Sequence, residues 1–79
     1  MKLLILDSKN QSEFIYALES WNTKTLKEEI KKKYKISEEI ELVYNGNILE
    51  DNDNLLAKGV TDGKTINFLG QFNAGKGFK

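Results

Sequence analysis

Cysteine and histidine are both absent from this 79-residue chain. Without cysteine there is no disulfide framework, and no thiolate to act as nucleophile or metal ligand. Without histidine the usual general base and the commonest metal ligand are missing too. Arginine is also lacking, since all 12 basic residues are lysines, and with it goes the guanidinium fork that reads guanine and phosphate bidentately. Twelve acidic residues balance the lysines to a net charge of zero, with a pI near 6.2. That balance gives no electrostatic footprint for nucleic acid. No apolar run is long enough to span a bilayer, and the N-terminus carries no signal-peptide core. The composition predicts a single small soluble domain, cytosolic or nuclear, with no catalytic residue, metal or cofactor and no nucleic-acid or membrane partner. A domain of this size without staples needs a well-patterned core.

The patterning is present. Residues 1–6, MKLLIL, read as a short strand with Met1, Leu3 and Ile5 on one face. The turn formers DSKNQ (7–11) follow, then SEFIYALES (12–20), a second strand of the same hairpin. Both of its faces carry apolar residues, and the aromatic set Phe14, Tyr16 and Leu18 is expected inward, ahead of Ile15 and Ala17. Asn22 reads as a helix N-cap, with Trp21 before it and Leu26 at the fourth helical position as a hydrophobic staple. Leu26, Ile30 and Tyr34 recur at helical spacing. The closing KKKYK suits the negative end of the helix dipole and reads as a solvated helix end. In IELVYNGNIL (40–49), Ile40, Leu42 and Tyr44 alternate with Glu41 and Val43, so this is a strand. Asn45-Gly46 is a strong hairpin signal, and Ile48-Leu49 supplies a very short partner. EDNDN (50–54) lacks the spacing, central glycine and closing glutamate of a calcium loop. Leu55 and Leu56 dock a short helical turn. The last strand, TINFL (65–69), points Ile66 and Phe68 one way and Asn67 and Leu69 the other. One helix must then cover one face of a mixed sheet, with the first and last strands adjacent and parallel at its centre.

This order, and above all LVYNGNILEDNDNL (42–55), resembles ubiquitin. The helix TLKEEIKKKY and the closing VTDGKTINFL follow the same plan. The resemblance covers the chain up to residue 75 and implies an α+β, ubiquitin-like β-grasp fold: a ubiquitin-like domain over residues 1–73 and a flexible tail over 74–79. It implies a monomeric protein that does no chemistry. Such a protein is recognised by ubiquitin-like-binding domains through an apolar patch, or attached to targets through a C-terminal glycine. The patch would centre on Val43 and Leu69, with Asn67 between them and Gly46 and Asn47 beside it. The turn DSKNQ offers no apolar residue to extend it. Lys27 matches a chain-forming position of the family, whereas Asn47 and Asp62 stand where other linkage lysines would be.

The tail, GQFNAGKG (70–77), is close to the phosphate-loop pattern G-x-x-x-x-G-K-[ST]. Glycine replaces the magnesium-binding hydroxyl, and Phe78-Lys79 cannot make the helix whose N-terminus would hold phosphate. The resemblance offers another use. Ala74-Gly75 falls on the family's terminal glycine pair, with Lys76 as the first residue beyond it. Cleavage after Gly75 by a processing protease, then activation and conjugation, would make this a protein modifier. AGKGFK is also similar to the Gly-Gly-Lys-Gly-Gly-Phe tail of the silencing-defective splicing-factor family. It departs by one glycine at each pair and has no arginine ahead of it. The alternative is a linker after an uncleaved adaptor domain of a larger protein.

Overall fold

The computed structural model describes residues 1–9 and 11–70. The elements run β1 (Lys2–Leu6), β2 (Ser12–Tyr16), α1 (Thr23–Tyr34), β3 (Ile40–Tyr44), β4 (Asn47–Ile48), a 3-10 turn (Leu56–Lys58) and β5 (Thr65–Gly70). The five strands form one sheet in the order β2-β1-β5-β3-β4. β1 and β5 pair in parallel at its centre, and the other pairs are antiparallel. Helix α1 lies over one face. This is the expected α+β, β-grasp arrangement.

The helix begins as its sequence dictates. Asn22 Oδ1 accepts the Thr25 amide and the Thr25 hydroxyl, each at 3.0 Å. The two preceding helical amides, which have no partner within the helix, donate to the Asp53 carbonyl (Thr23, 2.9 Å) and the Asp51 carbonyl (Lys24, 3.1 Å). The loop after β4 therefore completes the helix N-terminus. At the other end Lys35 takes a left-handed conformation (φ 58°), and the Ile36 amide returns to the Lys31 carbonyl at 2.8 Å. This closure satisfies carbonyls that a helix end otherwise exposes. The β3–β4 hairpin turns through Asn45 (φ 55°) and Gly46 (φ 83°), the two positive φ values that a two-residue primed turn requires.

The core is assembled from one face of each strand. Leu3 and Ile5 of β1, Ile40 and Leu42 of β3, and Ile66 and Phe68 of β5 are buried against Leu26 and Ile30 of α1. Leu49, Leu55 and Val60 close the flanks from the connections, with Trp21, Tyr34 and Tyr44 packed half-buried against the same cluster.

β2 departs from expectation. Ile15 and Ala17 face the core, at 7% and 2% exposure, whereas Phe14, Tyr16 and Leu18 are 50%, 72% and 63% exposed. The cause is register. Paired residues point to the same side of a sheet, and a slip of one residue exchanges the faces of a whole strand. Leu3 lies opposite Ile15 and Ile5 opposite Glu13, so the buried face of β1 selects the odd-numbered residues of β2. The turn fixes that register: Asp7 Oδ1 accepts the Lys9 and Gln11 amides, each at 2.9 Å, while the Asp7 amide donates to the Gln11 carbonyl at 3.0 Å. Phe14 is partly covered in compensation by the Lys2 ammonium, 4.2 Å above its ring.

Two substitutions separate the two faces of β2. Ile15→Ala should lower unfolding free energy in urea by roughly 2–4 kcal/mol, as for other large-to-small changes in a core. Tyr16→Ala should change it by no more than about 1 kcal/mol, as is usual at exposed positions. The reverse order of losses would put the aromatic face inside.

Candidate interaction surface

The sheet face turned away from α1 is built by strand alternation from residues that the core rejects. Val43 of β3 stands opposite Asn67 of β5 on one side and Ile48 of β4 on the other. Asn67 in turn stands beside Leu6 of β1, and Leu69 is paired with Glu41. Leu6, Asn67, Val43 and Ile48 thus form one row across four strands, with Leu69 one step along β5. Ile48 is 57% and Leu69 46% exposed, and Val43 and Leu6 are half-buried. The arrangement gathers several apolar side chains on one open face, around a single amide that can donate and accept.

Of the residues that the sequence points to, Val43, Asn67 and Leu69 come together on this face. Gly46 and Asn47 sit exposed at the hairpin that borders it. A Cβ at Gly46 would meet nothing within 4 Å, so its positive φ, not crowding, is what calls for glycine. Ile48 and Leu6 extend the patch beyond what the sequence reading supplied. Ile48 was accessible to that reading: a two-residue Asn-Gly turn places Tyr44 opposite Asn47, and therefore Val43 opposite Ile48.

Lys27 lies away from this face, on the helix. Its side chain is only 15% exposed, and its ammonium holds Asp51 at 2.7 Å. The hydrogen bond and the charge of Lys27 hold the Asp51 carboxyl below its ordinary range, with Lys24 adding to the effect. Asp53 Oδ2 meanwhile accepts the Glu50 amide at 2.9 Å. The acidic loop is thus committed to the helix N-terminus and to its own turn. A concavity of about 280 Å³ lies between the β1–β2 turn and the end of β5, lined by Asp7, Tyr34, Ile36, Phe68 and Gly70 among others. The Tyr34 ring meets Phe68 edge-on at 5.1 Å. Burial, then the charges of Glu13 and Asp7, push the Tyr34 phenol above its ordinary range. Among the described residues no group of three acidic side chains is placed to hold a metal, and no helix is long and apolar enough to cross a membrane. Ala74, Gly75 and Lys76, the expected processing and conjugation residues, lie outside the described residues.

A family model described as the ubiquitin family matches residues 4–72. The match takes in α1, β2 to β5 and most of β1, and it stops short of Ala74. A comparison with curated proteins found no match.

The Lys27–Asp51 pair makes a pH-dependent prediction. A carboxyl with a depressed folded pKa contributes stability above its unfolded pKa and loses it as pH falls through the folded value. Lys27→Met should raise the Asp51 titration midpoint, read from its side-chain carbon shift, toward that of an ordinary aspartate. The stability deficit of the variant should be present at neutral pH and shrink as Asp51 becomes protonated in acid. An unchanged midpoint would mean that the pair does not persist in solution.

Proposed function

The chain belongs to the ubiquitin family, and from that premise we propose that it works by protein–protein recognition, without chemistry of its own. The site is the open sheet face centred on Val43 and Leu69, flanked by Asn67 and by Gly46 and Asn47 at the hairpin. The observation that carries this reading is the register. Val43, Asn67 and Ile48 are direct cross-strand neighbours, with Leu69 beside them, so the exposed aliphatics form one surface instead of scattered single contacts. The surface is shallow, and its apolar side chains are partly covered. Its partners would be ubiquitin-like-binding domains in cytoplasm or nucleus, held weakly enough to exchange.

The finer reading is that of a modifier made as a precursor. A protease would cut after Gly75, and the exposed carboxylate would be activated and conjugated. Ala74 and Gly75 suit a narrow enzyme channel because they present little or no side chain. The similarity of AGKGFK to the splicing-factor type of tail is carried by the sequence alone. Lys27 is the candidate acceptor lysine, and its use would require the pair with Asp51 to open. The second reading is an uncleaved adaptor domain, favoured by the polar, glycine-containing run QFNAGKGFK, which has the composition of a linker.

Val43→Asp should weaken binding to a ubiquitin-binding domain by about tenfold or more, as expected for a desolvated charge at a patch centre, while the amide spectrum stays folded. Retained affinity would move the interface elsewhere. The two finer readings differ in the mature C-terminus. Intact-mass analysis of the domain carrying a C-terminal reporter, after incubation in extract from its own source, should yield a product ending at Gly75 for a modifier. An uncut chain would mean an adaptor.

A further inference from the structure

Asparagine followed by glycine occurs once in the chain, at Asn45-Gly46. Glycine puts no Cβ beside its own nitrogen, so that nitrogen can approach the preceding carboxamide with the least steric hindrance. Both residues are exposed at the tip of the β3–β4 hairpin. The space around Gly46 is open, with nothing within 4 Å of where a Cβ would stand. The tip is lightly held. β4 is 2 residues long and lies at the sheet margin, and only Val43–Ile48 and Tyr44–Asn47 pair across the turn. Below them the Leu49 amide donates to the Leu42 carbonyl at 2.8 Å, and the Leu49 side chain is buried. The base of the hairpin is therefore anchored in the core while its tip is free to open.

The closed turn protects the pair. Asn45 has φ 55°, and a left-handed residue carries a ψ of about +47°. That ψ sets the following nitrogen almost anti to Cβ about the Cα–C bond, so the Gly46 nitrogen cannot reach the Asn45 carboxamide carbon. Contact between them requires Asn45 to leave the left-handed region, which opens the two-residue turn. Local openings of this kind cost much less than global unfolding.

We propose that Asn45 is a one-way modification site, gated by opening of the hairpin tip, with the chain's own Gly46 amide as nucleophile and water as co-reactant. In the opened tip the Gly46 nitrogen attacks Asn45 Cγ. The new N–Cγ bond closes a five-membered imide, the Cγ–Nδ2 bond breaks, and Nδ2 leaves as ammonia with the proton from the Gly46 nitrogen. Water then opens the imide. Attack at Cγ gives aspartate, and attack at the main-chain carbonyl gives the isomer in which the chain runs through Cγ. The sum is amide plus water to carboxylic acid plus ammonia, with no oxidation or reduction. Both products place a new negative charge at the tip, and the isomer also adds one carbon to the main chain. A turn built for two residues of ordinary length does not accommodate that carbon. Tyr44 then no longer stands opposite Asn47, nor Val43 opposite Ile48, and the apolar row of the open face loses its β4 member. The modification itself is independent of any partner, whereas its effect on recognition rests on the Val43–Leu69 face being the binding site.

The test holds the full 79-residue chain, labelled with 15N, at mildly alkaline pH. Peptide mass analysis should find one mass unit gained at Asn45 well ahead of Asn47 and Asn52, with aspartate and its isomer separated by chromatography. The amide spectrum should lose the Asn45 side-chain pair and shift Tyr44, Asn47 and Ile48, while Leu3, Ile5 and Ile30 stay in place. Ile48→Gly loosens the tip and should speed conversion by about threefold or more, because the turn then opens more often. Asn45→Gly keeps a residue that accepts positive φ in the turn and should gain no mass there. An Asn45 that stays intact or converts no faster than Asn47 or Asn52 would overturn the proposal. So would a rate unmoved by Ile48→Gly, or an isomer-containing chain whose Tyr44, Asn47 and Ile48 signals have not moved. Binding separates this inference from the one about the open face. The purified isomer should bind a ubiquitin-binding domain at least about fivefold more weakly, through a lost aliphatic contact and an added charge. Full affinity with a displaced hairpin would overturn the effect on recognition, and with it the Val43–Leu69 site, but not the modification.

Discussion

A parallel strand pair cannot be closed by a tight turn, so the pairing of β1 with β5 requires a long connection between them, residues 7–64. The rest of the structure follows from that constraint. The intervening chain supplies β2 on one side of the central pair, β3 and β4 on the other, and a helix to cover the apolar face that the pair leaves bare. The ends of the crossover are tied directly. The Leu4 amide donates to Lys64, Gly63 donates to Lys2, and the Lys2 amide donates to Asp62 Oδ1. Buried on the helix side and half-covered on the other, β1 has the near-continuous apolar run MKLLIL that its central place requires.

A second tie holds the crossover in place. The segment from Trp21 to Lys27 is laced to the loop at 51–55. Leu55 donates to the Trp21 carbonyl, Thr23 to Asp53 and Lys24 to Asp51, and the Lys27 ammonium closes on the Asp51 carboxylate. Thr23, the one fully buried polar residue among the described residues, sits inside this lacing, with its amide and hydroxyl both directed at the Asp53 carbonyl. A run that looks, by composition, like an acidic surface loop is therefore the N-terminal closure of the helix. Its carboxylates and carbonyls lie where the positive end of the helix dipole can use them.

These ties explain what the sequence could and could not disclose. Local devices are legible because they are decided by neighbours in the chain: the Asn22 cap, the Asn45-Gly46 turn, the alternation of Ile66 and Phe68 with Asn67 and Leu69. The buried face of β2 is not such a device. Phe14-Ile15-Tyr16-Ala17 offers an apolar residue at every step, and the choice falls to a register set by Asp7 and by the face that β1 has already buried. Larger side chains lost to smaller ones because position in the sheet, not hydrophobicity, assigned the space. The candidate patch was legible in the same measure. Val43 and Leu69 follow from alternation along their own strands, whereas Leu6 belongs to the patch only through pairing across strands remote in sequence. The tail residues Ala74, Gly75 and Lys76 lie outside the described residues.

The register that turned Ile15 inward also decided what the outside of β2 presents. With the aliphatics spent on the core, Phe14 and Tyr16 are left exposed along a free edge, and one lysine is drawn over an aromatic ring. An edge of this kind is a hazard unless something manages it. Here the apolar length is short, and charges of both signs, Glu13, Glu29, Lys32 and Lys33, border it. Those charges impede flat, indiscriminate pairing with another strand. Ordered main-chain groups at a sheet edge, framed by lysines, are donors and acceptors that the fold itself supplies.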